Sequence, residues 1–385
     1  MGRGILLLLS VFFVGAGVLT VVRAPTLATW KPALLVGEFG HVLWILPAAL
    51  TVLARRSAGV DRPAALVGLF TVLLCLTAVG LLLKPTVQAC ALSRTLTAEL
   101  GRAFGKVELT RSPFSLKGLL AWPSRLAIPQ TLEFARAGTP NALALNFYAA
   151  QRADGRPAPC VLVIHGGGWD SGDRTQLPRF NGWLAQRGYA VAAIDYRLAP
   201  QHAWPAAADD VETALAFLKD NAARLGLDPQ KFILLGRSAG GQIATAFAYG
   251  RLDPAVRGVV ALYAPHDLHF AWQYGREDDI LHSLQLLRQL TGGTPDTVRA
   301  AYDSASGYSL ATKSAPPTLI VHGVIDTLVW HKQSERLHTR LDELGVPNVF
   351  VSLPWATHAF DYNLAGPGGQ LTTYALEWFL AAVTK

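Results

Sequence analysis

The chain has 385 residues, 51% of them hydrophobic, and a formal net charge of +7 at pH 7. All of this surplus lies in residues 1–106, which contain ten Lys or Arg against three Asp or Glu, whereas residues 107–385 contain 24 of each. A neutral C-terminal part without a basic patch excludes nucleic acid as the predicted partner, and three scattered cysteines exclude a disulfide framework.

Three apolar segments occupy the N-terminal part of the chain, at residues 5–22, 34–54 and 64–83. Each is close to the roughly 20 residues that a helix needs to cross a bilayer. The third segment has no charged residue, so it lacks the polar face with which a helix of a soluble protein meets water. The first could also be a signal peptide, because Arg3 precedes its apolar stretch. Two further segments favour a three-helix transmembrane anchor over residues 1–84.

Two ionisable side chains interrupt the second apolar segment. Glu38 and His41 are three residues apart and therefore share one face of a helix. Ionisable groups are costly inside a membrane, and we expect these two to hydrogen-bond to each other inside the helix bundle. A pathway for protons or substrate is the alternative.

Residues 85–112 are predicted to form an amphipathic helix and a linker. Leu92, Leu96, Leu100 and Phe104 recur at a spacing of four residues, which places them on one face of a helix. This face would lie either on the membrane surface or against the following domain. The basic surplus of the N-terminal part favours contact with anionic lipid headgroups, so the lipid bilayer is a predicted partner.

Positive charges also predict the orientation of the anchor. Arg55, Arg56 and Arg62 lie between the second and third apolar segments, and such residues favour the cytoplasmic side of a membrane. We therefore expect a multi-pass protein, in a bacterial inner membrane, whose C-terminal domain faces the extracytoplasmic side.

Residues 113–385 alternate predicted strands with predicted helices. This order is typical of an α/β fold with a mostly parallel eight-stranded sheet and helices on both faces. The predicted strands are 129–135, 143–149, 160–165, 189–195, 231–236, 257–263, 317–322 and 348–353. Residues 267–312 interrupt the alternation and predict a short cap over the sheet. Its aromatic residues Phe270, Trp272 and Tyr274 would line a substrate pocket or form the core of the cap.

The third predicted strand ends in the sequence His165-Gly166-Gly167-Gly168-Trp169. Consecutive glycines let the backbone turn its N–H groups into a cleft, where they can stabilise a developing oxyanion. A phosphate-binding loop would require a Lys followed by Ser or Thr after the glycines, and Trp169-Asp170 stands there instead.

The fifth predicted strand leads into Gly236-Arg237-Ser238-Ala239-Gly240, the G-x-S-x-G pattern of a nucleophile elbow. Its turn is so tight that side chains at Gly236 and Gly240 would collide with the neighbouring strand and helix. The pattern predicts Ser238 as a nucleophile at the apex. Arg237 would touch the acyl group of a substrate or form a surface salt bridge.

A nucleophilic serine needs a histidine base and an orienting carboxylate, in the chain order Ser, Asp, His. Asp326 follows the seventh predicted strand and His358 follows the eighth, so both lie at the edge where parallel strands place functional groups. Asp361 is a rival acid that breaks this order, and His322 is a rival base that we expect to be structural. The other histidines have no metal-binding pattern, so no metal site is predicted.

Together these motifs make the chain from about residue 134 onward resemble the esterase and lipase branch of the α/β-hydrolases. The hormone-sensitive-lipase-like and bacterial feruloyl-esterase-like carboxylesterases are the most similar groups. The resemblance also rests on Asp195-Tyr196-Arg197-Leu198-Ala199-Pro200 and on the acidic pair Asp209-Asp210. It implies that His165 and Gly166 support the oxyanion loop. It also implies that Asp209 or Asp210, with Asp209 preferred, supports the oxyanion loop. The alternative role for these two acids is to complement the dipole of the helix that they begin.

The sequence thus predicts a membrane-anchored serine carboxylesterase that acts on short- to medium-chain esters without a metal or organic cofactor. Ser238, Asp326 and His358 would form its catalytic triad, and the N–H groups of Gly167, Gly168 and Ala239 its oxyanion hole. An amidase or peptidase with the same triad is one alternative. A catalytically inactive membrane-anchored binding protein is another.

Overall fold

The computed structural model describes residues 2–57, 61–121 and 126–385. Four helices precede an α/β domain. They are α1 (Arg3–Val18), α2 (Leu27–Leu43), α3 (Ile45–Ser57) and α4 (Arg62–Phe104). The axes of α2 and α3 differ by 60° across the break at Trp44.

One helix among the described residues, α4, is long and apolar enough to cross a membrane by itself. The bent pair of α2 and α3 could provide a second span, and α1 is a shorter apolar helix of 16 residues. The three predicted apolar segments therefore fall on α1, on the bent pair and on the first half of α4. The boundary predicted at residue 84 lies inside α4, which continues without a break to Phe104.

The two halves of α4 have different surroundings. Its first half exposes a row of large apolar side chains that are between 49% and 61% accessible: Leu66, Leu69, Phe70, Leu73 and Leu76. Its second half buries Leu96 and Leu100 against the α/β domain, and Thr97 Oγ1 lies 3.0 Å from the Tyr374 hydroxyl. Of the two predicted positions for the amphipathic segment, packing against the domain is the one observed.

The predicted hydrogen bond between Glu38 and His41 is wrong, because α2 lies against the α/β domain. The buried Glu38 carboxyl group accepts a hydrogen bond from Gly368 N at 3.0 Å, and Trp355 Nε1 is 3.4 Å away. His41 Nε2 instead lies 3.1 Å from Leu119 O. Both polar side chains therefore hold the helical region to the domain.

The α/β domain contains eight strands among the described residues: β1 (Gln130–Ala135), β2 (Leu143–Tyr148), β3 (Ala158–Ile164), β4 (Ala190–Ile194), β5 (Leu227–Arg237), β6 (Val256–Leu262), β7 (Thr318–Gly323) and β8 (Asn348–Leu353). They form one sheet in the order β1-β2-β4-β3-β5-β6-β7-β8. The strands β1 and β2 are antiparallel to their neighbours, and the pairs from β4 to β8 are parallel. The structure confirms the α/β fold, and each predicted strand corresponds to one of these eight within a few residues.

Helices cover both faces of the sheet, as expected when parallel strands are buried on both sides. They are α5 (Pro178–Gln186), α6 (Ala206–Asp220), α7 (Ala222–Leu225), α8 (Ala239–Arg251), α13 (Lys332–Leu344) and α14 (Pro367–Val383). Between β6 and β7 lie the cap helices α9 (Leu268–Tyr274), α10 (Ser283–Thr291), α11 (Arg299–Ala305) and α12 (Gly307–Leu310). Short 3₁₀ helices occupy Lys117–Leu120 and Phe360–Tyr362. The parallel strands all end at the edge of the sheet that the cap faces.

Candidate active site

Ser238 occupies the turn between β5 and α8, with φ 52° and ψ −121°. A positive φ at a non-glycine residue is strained, and such strain is concentrated at functional sites. A Cβ atom at Gly236 would lie 2.1 Å from Gly240 O, and one at Gly240 would lie 2.2 Å from Ile164 O. Only glycine fits at these two positions, as the sequence pattern predicted.

Asp326 and His358 come together from the loops that follow β7 and β8. His358 Nδ1 donates to Asp326 Oδ2 at 2.7 Å, and Asp326 Oδ1 accepts from the N–H groups of Leu328 and Val329 at 2.8 and 3.0 Å. Burial alone would raise the pKa of Asp326, but its hydrogen bonds and its attraction to His358 and His322 outweigh burial and lower that pKa. Asp326 is therefore an anion that fixes the His358 ring.

His322, the rival base, is fully buried and engaged on both ring nitrogens. Its Nδ1 lies 2.7 Å from Ser334 Oγ, and its Nε2 lies 3.2 Å from Asp326 Oδ2. It is thus a second histidine on the same carboxylate. Because neither nitrogen is available to a substrate, the structure gives His322 the structural position that the sequence predicted.

The glycine loop after β3 turns its backbone toward Ser238. Gly167 and Gly168 have φ of 132° and 61°, which few other residues adopt. Gln176 Oε1 accepts from Gly166 N at 3.0 Å and holds the start of the loop. Within the part of the chain that the structure describes, the N–H groups of Gly167, Gly168 and Ala239 have no acceptor. These three donors are available to an oxyanion.

His165 supports this loop from below. Its ring stacks on the Tyr196 ring at 4.2 Å between centroids, and its Nδ1 donates to Gly166 O at 2.8 Å. The Tyr196 hydroxyl in turn donates to His165 O at 3.2 Å. Burial lowers the pKa of His165, so the neutral ring acts as a fixed spacer under the loop.

The preferred choice of Asp209 as the bracing acid disagrees with the structure. Asp209 is 45% exposed and pairs with Arg251 on the surface. The buried acid is Asp210, which accepts from Arg197 N at 2.8 Å and from Arg197 Nε at 2.9 Å. Since the two acids are adjacent in the first turns of α6, only the rotation of that helix against the domain separates their roles.

Arg237 makes a buried contact that the sequence did not reveal. Its Nε donates to Asp361 Oδ2 at 2.5 Å, and its guanidinium lies 4.2 Å from the centre of the Phe180 ring. The Tyr263 hydroxyl donates to the other Asp361 oxygen at 2.6 Å, and the Tyr263 ring lies 4.4 Å from that of His358. Burial and the Asp361 charge raise the pKa of Tyr263, which keeps its hydroxyl protonated as a donor. Asp361 is therefore held by Arg237 and Tyr263, and the salt bridge of Arg237 is buried where the sequence analysis placed one on the surface.

A second missed residue is Gln242, on α8. Its Oε1 accepts from Trp169 Nε1 at 2.7 Å and its Nε2 donates to Ala305 O at 2.6 Å, both in the buried interior. One side chain thereby connects the glycine loop, the helix behind Ser238 and the cap. Its sequence signal is weak, because a glutamine four residues after Ser238 also suits an ordinary helix.

Ser238, Asp326 and His358 line one cavity of about 1200 Å³, together with the glycine loop. Phe270 and Tyr274 of the cap also line it, whereas Trp272 packs inside the cap against Tyr302, so the two predicted uses of these aromatics are both realised. The cavity wall also includes four residues of the N-terminal helical region: Arg23, Pro25, Trp30 and Leu34. Among the described residues, no group of three or more His, Cys, Asp or Glu side chains could hold a metal ion.

The sequence of the α/β domain matches a protein family and several curated esterases. The BD-FAE family model matches residues 145–341, which include the glycine loop, the elbow and Asp326. The probable carboxylic ester hydrolase LipM of Mycobacterium tuberculosis is 32% identical over 242 residues, 59% of this chain and 54% of LipM. Esterase LipC of the same organism is 30% identical over 245 residues, 60% of each chain. The chain thus spans between 54% and 60% of the length of these curated relatives.

Solved structures resemble the α/β domain at lower sequence identity. A bacterial heroin esterase superposes with a TM-score of 0.58 at 20% identity, covering 77% of this chain and 92% of the esterase. A truncated carbohydrate esterase from gut microbiota gives a TM-score of 0.57 at 20% identity, covering 68% of this chain and 99% of that one. These similarities establish the fold of the C-terminal domain.

Proposed function

The chain belongs to the BD-FAE family of α/β-hydrolases, and we propose that it is a membrane-anchored serine carboxylesterase acting on short- to medium-chain carboxylic esters. One observation carries the proposal: Ser238 stands on a strained elbow in the same cavity as a histidine that is held by a buried carboxylate. The relatives named as ester hydrolases support the bond type.

In the proposed reaction Ser238 Oγ adds to the ester carbonyl carbon while His358 Nε2 takes its proton. Asp326 holds the ring through Nδ1, so that Nε2 is the nitrogen free to accept. The N–H groups of Gly167, Gly168 and Ala239 stabilise the charge that develops on the carbonyl oxygen. The carbon–oxygen bond to the alcohol then breaks, and His358 returns the proton to the departing alcohol.

Water completes the cycle at the same groups. His358 takes a proton from water, the hydroxide oxygen adds to the acyl carbon, and the acid leaves as Ser238 Oγ regains its proton. Every step uses side chains and backbone groups of this chain, so the proposal includes no metal and no organic cofactor. Small-molecule esters are the proposed substrates.

The anchoring part of the proposal rests on the N-terminal helices. The length and apolar composition of α4, and its row of exposed apolar side chains from Leu66 to Leu76, favour insertion into a bilayer. We extend this to a multi-pass anchor with the α/β domain on the extracytoplasmic side, because Arg55 and Arg56 in the last turn of α3 and Arg62 at the start of α4 are close together in the chain.

Ser238→Ala tests the reaction, with hydrolysis of p-nitrophenyl acetate and butyrate as the readout. Loss of a triad member should lower kcat by about 10⁴-fold or more. Ser93→Ala is the matched control, since Ser93 is half-buried on α4 and its one side-chain hydrogen bond among the described residues is to Cys90 O of the same helix. A fluorophosphonate probe should label the wild type at Ser238. Activity of Ser238→Ala within a few-fold of wild type would refute the assignment.

A further inference from the structure

The catalytic cavity has walls from two parts of the molecule. The α/β domain supplies Ser238 and His358, while the connection after α1 and the first turns of α2 supply Arg23, Pro25, Trp30 and Leu34. The Arg23 guanidinium lies 5.9 Å from the centre of the Trp330 ring, and Trp330 also lines the cavity. The helical region thus does more than tether the domain, since it forms part of the substrate site.

This shared wall lies close along the chain to exposed apolar side chains of the helical region. Helix α1 exposes four large apolar side chains that are between 52% and 71% accessible: Ile5, Leu8, Val11 and Phe12. The row of exposed apolar side chains on α4, from Leu66 to Leu76, ends before Lys84. Lys84 Nζ donates to Thr20 O at 2.9 Å, just past the end of α1. A lysine at the end of an apolar band is typical of a membrane boundary. Arg23, three residues after Thr20, is already part of the cavity.

The interior of the cavity suits a long apolar group beside a polar one. The cap side of its lining includes the apolar residues Ile280, Leu281, Leu286, Leu287 and Phe270, beside the charged residues Arg276, Asp278 and Asp279. Polar groups stand at the same cavity, including Asp170 and Ser171 beside the glycine loop. Its volume of about 1200 Å³ exceeds the roughly 300–1000 Å³ of common small-ligand pockets.

We infer that the substrate is an amphiphilic ester that resides in the bilayer and reaches Ser238 past the wall formed by Arg23, Pro25, Trp30 and Leu34. This inference rests on the proposed esterase function and membrane anchor. The apolar chain lies along the cap leucines and the polar head faces the glycine-loop side. Hydrolysis breaks the acyl–oxygen bond, the oxygen of water enters the carboxylic acid, and the alcohol receives a proton.

The test uses the full chain reconstituted in phosphatidylcholine vesicles. Two esters are compared in the same vesicles: dioctanoylglycerol, which partitions into the bilayer, and p-nitrophenyl acetate, which stays in water. The readout is kcat/KM for dioctanoylglycerol divided by kcat/KM for p-nitrophenyl acetate. Trp30→Ala and Leu34→Ala should each lower this ratio by about tenfold, because each removes an apolar contact from the entry wall.

Leu35→Ala is the matched control, because Leu35 neighbours Leu34 on α2 but is 50% exposed and does not line the cavity. Its ratio should stay within about twofold of wild type, and thermal unfolding of all three variants reports on folding. An unchanged ratio in both wall variants, or an equal fall in Leu35→Ala, would overturn the inference and favour entry from water. Failure of the wild type to hydrolyse either ester would instead refute the proposed function and the inference with it.

Discussion

Asp361 provides the sharpest test of how the candidate site is held together. Its side chain is fully buried, that of Arg237 is 2% exposed, and the two are 2.5 Å apart. Asp361→Ala leaves the Arg237 guanidinium buried without its carboxylate. Neither Nη atom of Arg237 has a hydrogen-bond partner among the described residues, so no other group would compensate the charge. Breaking a buried pair in this way costs about 3–5 kcal/mol, because the remaining charge is uncompensated.

The expected loss is measurable by thermal unfolding of the full chain in one detergent. A large domain loses roughly 2–4 °C of Tm per kcal/mol, so Asp361→Ala should lower Tm by roughly 6–20 °C. Because Asp361 follows His358 by three residues and Arg237 precedes Ser238, kcat for p-nitrophenyl acetate should fall as well. The double variant Arg237→Met with Asp361→Leu should recover part of the Tm, since an apolar pair of similar volume can replace a buried ion pair, although the buried Tyr263 hydroxyl loses its acceptor.

Another Arg–Asp pair in the same domain serves as the control. Asp209 and Arg251 are 3.0 Å apart but are 45% and 46% exposed, so Asp209→Ala should cost about 0–1 kcal/mol. The reasoning is refuted if Asp361→Ala and Asp209→Ala lower Tm equally. It is also refuted if the apolar double variant is as unstable as Asp361→Ala alone.

Two further predictions concern acid stability and membrane orientation. The pKa of Asp326 is lowered in the folded chain, so its ionised form stabilises the fold above the unfolded-state pKa of about 3.9 and this stabilisation is lost as pH falls further. The free energy of unfolding should therefore fall more steeply below about pH 4 in the wild type than in Asp326→Asn; parallel slopes would contradict the assigned ionisation. Protease added to intact spheroplasts of an expressing bacterium should digest the α/β domain, whereas protection until lysis would place this domain in the cytoplasm.

The sequence by itself determined the features that depend on neighbouring residues. Buried strands were predictable from short apolar runs, because a parallel strand covered on both faces has no polar side. The elbow was predictable because the collisions that require Gly236 and Gly240 arise within a few residues of Ser238 and at the adjacent strand. The Asp326–His358 contact was predictable in outline, because loops after neighbouring parallel strands meet at one edge of a sheet.

Only the tertiary structure decided the contacts between residues far apart in the chain. Arg237 and Asp361 are 124 positions apart, and Glu38 and Gly368 are 330 apart. Nothing in the residues beside Glu38 distinguishes a helix inside a membrane bundle from one laid against another domain, since both are apolar. In the structure α2 lies against the α/β domain through Glu38, and the same helix places Trp30 and Leu34 at the cavity of Ser238. Local sterics and hydrophobic pattern are properties of a segment, whereas the partner of a buried charge depends on how segments pack.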